Sequence, residues 1–229
     1  MKKNAVMLLV FLIASTPIFA QQAGQFTLGG RVGMGFGISS PVGFGALVSE
    51  NFYPGQNLTA STDQPEINFA LALYGNFAFT DRLSVQAEFN FMYDQGYELL
   101  FSTAAGSRVV DVNYSSIDIP LLVRFSIANS PALFGIQAGP HISIPIGRLE
   151  IYEDLEMNYQ IERFPINSSV VFGFTGGLFA GFPAGPGRIM GDLRFVFDFD
   201  SLEATAWGNR TRFIERRAVV LTIGYEFSF

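Results

Sequence analysis

The chain has 229 residues, of which 49% are hydrophobic and only 15% charged, well below the roughly 25% charged residues of ordinary soluble domains. Its formal net charge of −6 argues against nucleic acid as a partner, and the lack of cysteine excludes a disulfide framework. Beyond the amino terminus no long apolar run occurs, so membrane-spanning helices are excluded, and a closed β-barrel is the remaining fold for an apolar chain in lipid.

The amino terminus has the features of a secretory signal peptide over residues 1–20. Lys2 and Lys3 form a basic head, residues 5–14 are apolar, and residues 15–20 form a short exit segment that places cleavage after Ala20. We therefore expect a single exported domain over residues 21–229.

Eight segments of alternating character follow, and most are long enough to cross a bilayer as tilted strands of roughly 9–11 residues. The predicted strands are 25–38, 67–79, 83–94, 115–127, 132–144, 169–180, 188–199 and 215–229. Short turns around residues 80–82, 128–131 and 183–187 alternate with long loops at 39–66, 95–114, 145–168 and 200–214. This alternation places both termini on one side, as in outer-membrane barrels with short periplasmic turns and long extracellular loops.

Each segment has one face of large apolar side chains and one face of small, polar or charged ones, as where Phe69 and Leu71 alternate with Asn68 and Ala70. An eight-stranded barrel has an interior just wide enough for side chains to fill, so the phenylalanine-rich faces cannot all point inward. Exposed to water, such a band would be far too large for a soluble monomer. We predict an all-β fold, an eight-stranded antiparallel up-and-down transmembrane β-barrel with lipid-facing apolar stripes.

The same alternation directs eight charged side chains into the lumen. A buried charge is costly unless it is paired, so we predict an ion-pair network that fills the barrel and fixes the strand register. A gate or a narrow polar path is the alternative. The predicted network comprises Arg31, Glu88, Asp118, Arg124, Asp192, Arg194, Asp198 and Glu226.

The residues that could carry other chemistry favour structural roles. His141, the only histidine, lies within a predicted strand and points inward, as expected of a hydrogen-bonded interior side chain rather than the catalytic group of a lipid-modifying enzyme. The glycines of residues 29–37 lack dinucleotide-loop spacing, and the acidic residues of the 145–168 loop lack EF-hand spacing. No cofactor, metal site or catalytic residue is predicted.

The chain ends on Phe229, with Phe227 and Tyr225 two and four residues earlier. This ending resembles the carboxyl-terminal signal of bacterial outer-membrane barrels. The resemblance implies that these three residues form an assembly signal, read by the barrel-assembly machinery during insertion.

Two further motifs point to a family. The segments 117–124 (IDIPLLVR) and 138–140 (AGP) resemble adjoining strands of PorT-type barrels and related small outer-membrane barrels of the OmpX and OmpA kind. Residues 191–195 (GDLRF) resemble a third strand of that family, with Asp192 in place of glutamate and Phe195 in place of tyrosine. The resemblance implies an eight-stranded β-barrel in the Gram-negative outer membrane.

These features lead to the hypothesis of a monomeric outer-membrane protein with a structural or interaction role carried by its surface loops. Its expected partners are outer-membrane lipid or lipopolysaccharide, the barrel-assembly machinery, and an unidentified surface or secretion partner. The alternatives are a narrow channel for small or hydrophobic solutes, a secretion-associated barrel as the PorT resemblance implies, and, less favoured, a lipid-modifying enzyme.

Overall fold

The computed structural model describes residues 22–37, 60–62, 67–103, 106–129, 132–155, 158–167 and 170–229. The predicted signal peptide and most of the predicted 39–66 loop lie outside these ranges. No helix within them is long and apolar enough to span a bilayer. The strands are β1 (Phe26–Gly37), β2 (Ala60–Thr62), β3 (Ile67–Ala78), β4 (Leu83–Thr103), β5 (Gly106–Asn129), β6 (Leu133–Leu155), β7 (Asn158–Pro165), β8 (Val171–Ala184), β9 (Gly187–Asp198), β10 (Leu202–Ala206), β11 (Asn209–Ile214) and β12 (Arg217–Ser228).

Eight of these strands form one closed barrel. They pair antiparallel in the order β1, β3, β4, β5, β6, β8, β9 and β12. The barrel closes where β12 pairs with β1, from Thr27 opposite Ser228 to Gly37 opposite Ala218. Each barrel strand therefore has two partners, and none leaves an unpaired edge in lipid. The predicted eight-stranded antiparallel up-and-down barrel is confirmed.

The barrel wall alternates as the sequence predicts. In β3, Leu71 and Leu73 are 55% and 65% exposed, whereas Ala72 between them is 3% exposed. The same alternation runs around the barrel, where the outward residues are mainly phenylalanine, leucine, isoleucine and valine. Hydrocarbon is the surrounding that stabilises such a band, so this outer face is the lipid-facing surface.

Three of the regions predicted to be long loops contain regular β-structure instead. The 95–114 region continues β4 and β5 as one long hairpin, and the 145–168 region continues β6 and turns back as β7. The 200–214 region contains the β10–β11 hairpin. These three predicted connections are therefore ordered as strands rather than as irregular loops. Their strands were missed because they do not show an apolar face toward lipid.

The polarity of the wall inverts where the strands leave the lipid-facing band. Outward side chains of β5 are apolar from Ile127 to Ile117 and polar beyond that point, where they are Ser115, Asn113 and Asp111. The inward side chains of β5 change in the opposite sense. They are the polar Asp118 and Ser116 below this height and the apolar Tyr114, Val112 and Val110 above it. The outward face thus passes from hydrocarbon to water.

Above this height the strands form an extramembrane cap, which we define as the described residues of 95–114, 147–167 and 202–214. The cap has a hydrophobic core of its own, with the partly buried Phe164, Ile166 and Trp207 packed against it. The β10–β11 hairpin joins β7 through an isolated bridge between Ala204 and Ile166. The buried core residues of the cap are Tyr97, Val110, Val112, Tyr114, Leu149, Ile151, Leu202, Ala204, Ala206, Phe213 and Ile214, and Val171, the first residue of the barrel strand β8, packs with them.

Candidate functional site

The inside of the barrel contains two clusters of charged side chains, and the lower one lies nearer the termini. Glu88 of β4 bridges Arg31 of β1 and Arg194 of β9. Its carboxylate accepts hydrogen bonds from Nη1 and Nη2 of Arg194 at 2.6 and 2.9 Å. Asp192 accepts from Arg31 Nη1 at 2.9 Å and from Gln137 Nε2 at 2.6 Å. All five side chains are buried, so the contacts tie four strands together across the lumen.

Glu226 of β12 extends the lower cluster toward the termini. Its carboxylate lies 3.6 Å from Arg188 Nη1 and accepts a long hydrogen bond, 3.4 Å, from the Tyr74 hydroxyl. The Arg31 guanidinium lies 4.9 Å from the centre of the Tyr74 ring, a cation–π distance that links this group to the Glu88 bridge.

Arg124 departs from the predicted pairing. It is buried in the lower cluster, but among the described residues it forms no ion pair with a carboxylate. Its Nη1 donates to the Gln86 side-chain oxygen, and its guanidinium lies 3.8 Å from the centre of the Phe179 ring. Its Nε and Nη2 atoms are buried without a hydrogen-bond partner. Arg124 is therefore held by an amide and an aromatic face rather than by a negative charge.

The upper cluster lies directly beneath the cap and centres on Arg216, just before β12. Arg216 Nη1 lies 2.8 Å from Asp118 of β5, and its Nη2 lies 3.0 Å from Asp198 of β9. His141 Nε2 is 2.7 Å from the same Asp198 oxygen, and its Nδ1 is 3.0 Å from the Thr175 hydroxyl. His141 is thus a hydrogen-bonded interior side chain, as predicted.

A thin apolar layer separates the two clusters and contains a cavity of about 20 Å³. That is room for roughly one water molecule. Arg31 and Arg194 contribute to the cavity wall from the lower cluster, and Asp118 and Thr175 contribute from the upper one. The apolar side chains of this layer are Ala70, Met92, Ala218 and Val220, with Val196 packed against them.

Within the height of the lower cluster, the apolar side chains Leu133, Phe179 and Met190 pack together, and Met190 lies between Arg188 and Asp192 on β9. The described part of the lumen is therefore closed at several heights. From the termini upward these are the lower charged cluster with its apolar group, the apolar layer, the upper charged cluster and the core of the cap.

All eight side chains predicted to face the lumen are buried there, distributed over both clusters. The alternation missed two more, Arg188 and Arg216, which lie at or just beyond a strand end. The period-two alternation nevertheless indicates both residues. Arg188 continues the inward series of Met190 and Asp192, and Arg216 continues the inward series that includes Ala218. The buried lumen of the described residues holds five arginines and five carboxylates, so its formal charges balance.

The three terminal aromatic residues lie at the end of β12. The Tyr225 hydroxyl donates to the Ala184 carbonyl at 2.6 Å, and its ring centre is 4.8 Å from that of Phe227. Phe227 and Phe229 are exposed on the lipid-facing side. Their role in assembly stays a prediction. In the described part of the chain, no group of three histidine or acidic side chains could hold a metal ion.

Comparison with known proteins agrees with this architecture. The family model of the outer membrane protein beta-barrel domain matches residues 19–203, while no curated protein matches the sequence. The outer membrane protein OprG from Pseudomonas aeruginosa has a similar structure, with a TM-score of 0.57 at 13% identity over 93% of this chain and 99% of OprG. A major outer membrane protein from Thermus thermophilus gives a TM-score of 0.48 at 15% identity over 88% of this chain and 99% of that one. The chain, with its closed barrel and matching family model, belongs to the outer membrane protein β-barrel domain family and resides in the Gram-negative outer membrane.

Proposed function

We propose that this protein is a non-conducting, monomeric barrel that presents an ordered β-structured surface outside the membrane. It acts there as a structural or interaction protein and not as an enzyme. The observation that carries this proposal is that the described part of the lumen is filled by side chains. Its charged side chains form ion pairs across the barrel, and the hydrophobic core of the cap lies over them.

The energetics favour a closed lumen. A passing solute would have to separate buried ion pairs, such as the pair of Glu88 with Arg194 and the pair of Arg216 with Asp118. Removing one partner of a buried pair costs about 3–5 kcal/mol, because the other charge stays buried and uncompensated. The pairs connect different strands, so separating them would also loosen the register of the barrel wall. This cost supports a role carried by the outer surface.

A narrow channel is the second candidate, favoured by the cavity between the two clusters and by the unpartnered nitrogen atoms of Arg124. The cavity would give a small ion a site between the clusters, and Arg124, which lies outside the cavity lining, would give it a separate polar contact in the lower cluster. In this case, changes to Arg124 or Asp118 would alter conductance. The secretion role implied by the PorT resemblance stays a further prediction about the unidentified partner.

Conductance recordings distinguish the two candidates. The full mature chain is inserted into planar lipid bilayers, together with the Asp118→Asn and Arg124→Gln variants. We expect no conductance steps for the wild type, because its lumen is closed at several heights. Defined single-channel steps in the wild type that either variant abolishes or enlarges would refute the closed barrel and support the channel.

A further inference from the structure

The barrel wall is irregular at the height where its outward face changes from apolar to polar. The pairing of β4 with β5 shifts between Met92 and Gln95. The pairing of β5 with β6 shifts as well, because Ser115 lies opposite Ile146 but Asn113 lies opposite Glu150. Residues 147–149 of β6 therefore stand against a single residue of β5. Bulges of this kind interrupt the hydrogen-bond ladder and bend the strand.

A pocket of about 300 Å³ occupies this irregular part of the wall. This volume is at the lower end of the range for small-molecule sites. Most of its lining side chains have outward positions on β4, β5 and β6, so the pocket opens on the outer wall and not into the lumen. It is lined by Tyr93, Asn113, Tyr114, Ser115, Ile146, Gly147, Arg148 and Glu150.

The charge of the pocket favours an anionic ligand. Arg148 is exposed and forms no ion pair with any residue that the structure describes. The other charged lining residue, Glu150, accepts a hydrogen bond from Arg163 Nε at 2.8 Å, which offsets its negative charge. The side chain that remains available is that of Arg148, and a guanidinium can bind phosphate oxygens through two parallel hydrogen bonds.

The remaining polar groups favour a ligand that also donates hydrogen bonds. The side-chain oxygen of Asn113 is buried at this site without a hydrogen-bond partner. A buried acceptor without a partner is costly, so a donor from a bound molecule would stabilise it. Ser115 and Tyr93 add hydroxyl groups to the same wall. Sugar hydroxyl and amide groups supply such donors beside a phosphate.

We propose that this pocket binds the headgroup of a membrane lipid that carries both a phosphate and a sugar. Arg148 binds the phosphate and Asn113 accepts a hydrogen bond from the sugar. The acyl chains lie along the apolar outer wall below, which begins at Ile117 on β5. The position of the pocket at the upper limit of that wall identifies a lipid as the ligand rather than a free sugar phosphate. With the termini in the periplasm, as the sequence predicts, this lipid belongs to the outer leaflet.

Native mass spectrometry of the full mature chain, released from detergent micelles, tests this site. The probes are diphosphoryl lipid A, the same lipid without its phosphates, and phosphatidylglycerol, which has a phosphate but no sugar. We expect the wild type to bind diphosphoryl lipid A at least about tenfold more tightly than either of the others, as the loss of one charge-assisted hydrogen bond implies. The Arg148→Gln variant should lose the preference for the phosphorylated form. Arg212→Gln, which changes an exposed cap arginine outside the pocket, should keep it.

Four outcomes would overturn the proposal. Unchanged lipid A binding by Arg148→Gln would show that Arg148 does not bind the phosphate. Equal affinity of the wild type for phosphatidylglycerol and lipid A would show that the sugar makes no contact with the pocket. Wild-type affinity of the Asn113→Leu variant for lipid A would show the same for Asn113. Displacement of the lipid by equimolar glucosamine 1-phosphate would identify a free sugar phosphate as the ligand. Heat-modified electrophoretic mobility verifies folding, and the wild-type comparison is decisive even where a variant does not fold. None of these outcomes depends on whether the barrel conducts.

Discussion

Phe213 is the side chain whose removal best tests whether the cap is held by its own core. It is fully buried, its ring packs edge-to-face against Tyr114 at 5.9 Å, and its carbonyl accepts a hydrogen bond from the Tyr97 hydroxyl at 2.6 Å. Replacing a buried phenylalanine with alanine costs about 3–5 kcal/mol. A core this small rarely supplies more than about 3–5 kcal/mol in total. We therefore expect Phe213→Ala to open the cap while the barrel stays folded.

Limited trypsin digestion of the folded protein in micelles measures this opening. Arg210 and Arg212 lie in β11, and their peptide bonds resist cleavage while the hairpin is packed on the cap. In Phe213→Ala we expect rapid cleavage there and faster amide exchange at Val110, because the packing that holds β11 is lost. The unchanged barrel should keep its heat-modified mobility. Phe195→Ala, which removes a lipid-facing ring of similar size, is the matched control and should leave the cap resistant.

Two results would refute this reasoning. Wild-type resistance to trypsin in Phe213→Ala would show that the cap does not depend on its apolar core. Loss of the heat-modified mobility together with cleavage would show that cap and barrel unfold as one unit.

Two further predictions concern the lumen and assembly. Arg216→Met should lower the free energy of unfolding by about 3–5 kcal/mol, because it leaves two buried carboxylates without their arginine. The adjacent exposed Arg217→Met should lower it by at most about 1 kcal/mol, and equal effects in urea unfolding from lipid vesicles would contradict the role of the upper cluster. Deleting Phe229, whose side chain is 75% exposed, should reduce folded protein in outer-membrane fractions with little change in the unfolding free energy of inserted barrels. An unchanged amount in those fractions would show that the terminal signal is misread.

The barrel was predictable from sequence because its signal is local. Alternation with a period of two follows from the strand backbone, and the lipid makes one face uniformly apolar. The bounds of β3 and β9, Ile67–Ala78 and Gly187–Asp198, lie within one residue of the predicted segments 67–79 and 188–199. Arg188 was missed because it is the first residue of its predicted strand and follows the turn of residues 183–187. Arg216 was missed because its neighbours Glu215 and Arg217 are charged, so no apolar side chain marks the outward face there.

The partners within the lumen were not predictable, because they depend on the stagger between strands. Alternation determines which residues point inward, but the shear of the barrel determines which of them lie at the same height. Arg194 and Glu88 meet across the lumen from β9 and β4, and Arg216 meets Asp118 in a separate cluster. A single network of eight residues was therefore too coarse a prediction, and the contacts of Arg124 with an amide and an aromatic ring lay outside it.

The distribution of charge gives a physical reason for these two clusters to coexist. With His141 counted as neutral, the lower cluster has four arginines against three carboxylates, and the upper cluster has one arginine against two. The excess positive charge below and the excess negative charge above are separated only by the thin apolar layer, where the interaction of opposite charges is weakly screened. Arg124, which has no carboxylate of its own, accounts for the lower excess. The described lumen is therefore neutral only as a whole, because the excess positive charge below is balanced by the excess negative charge above.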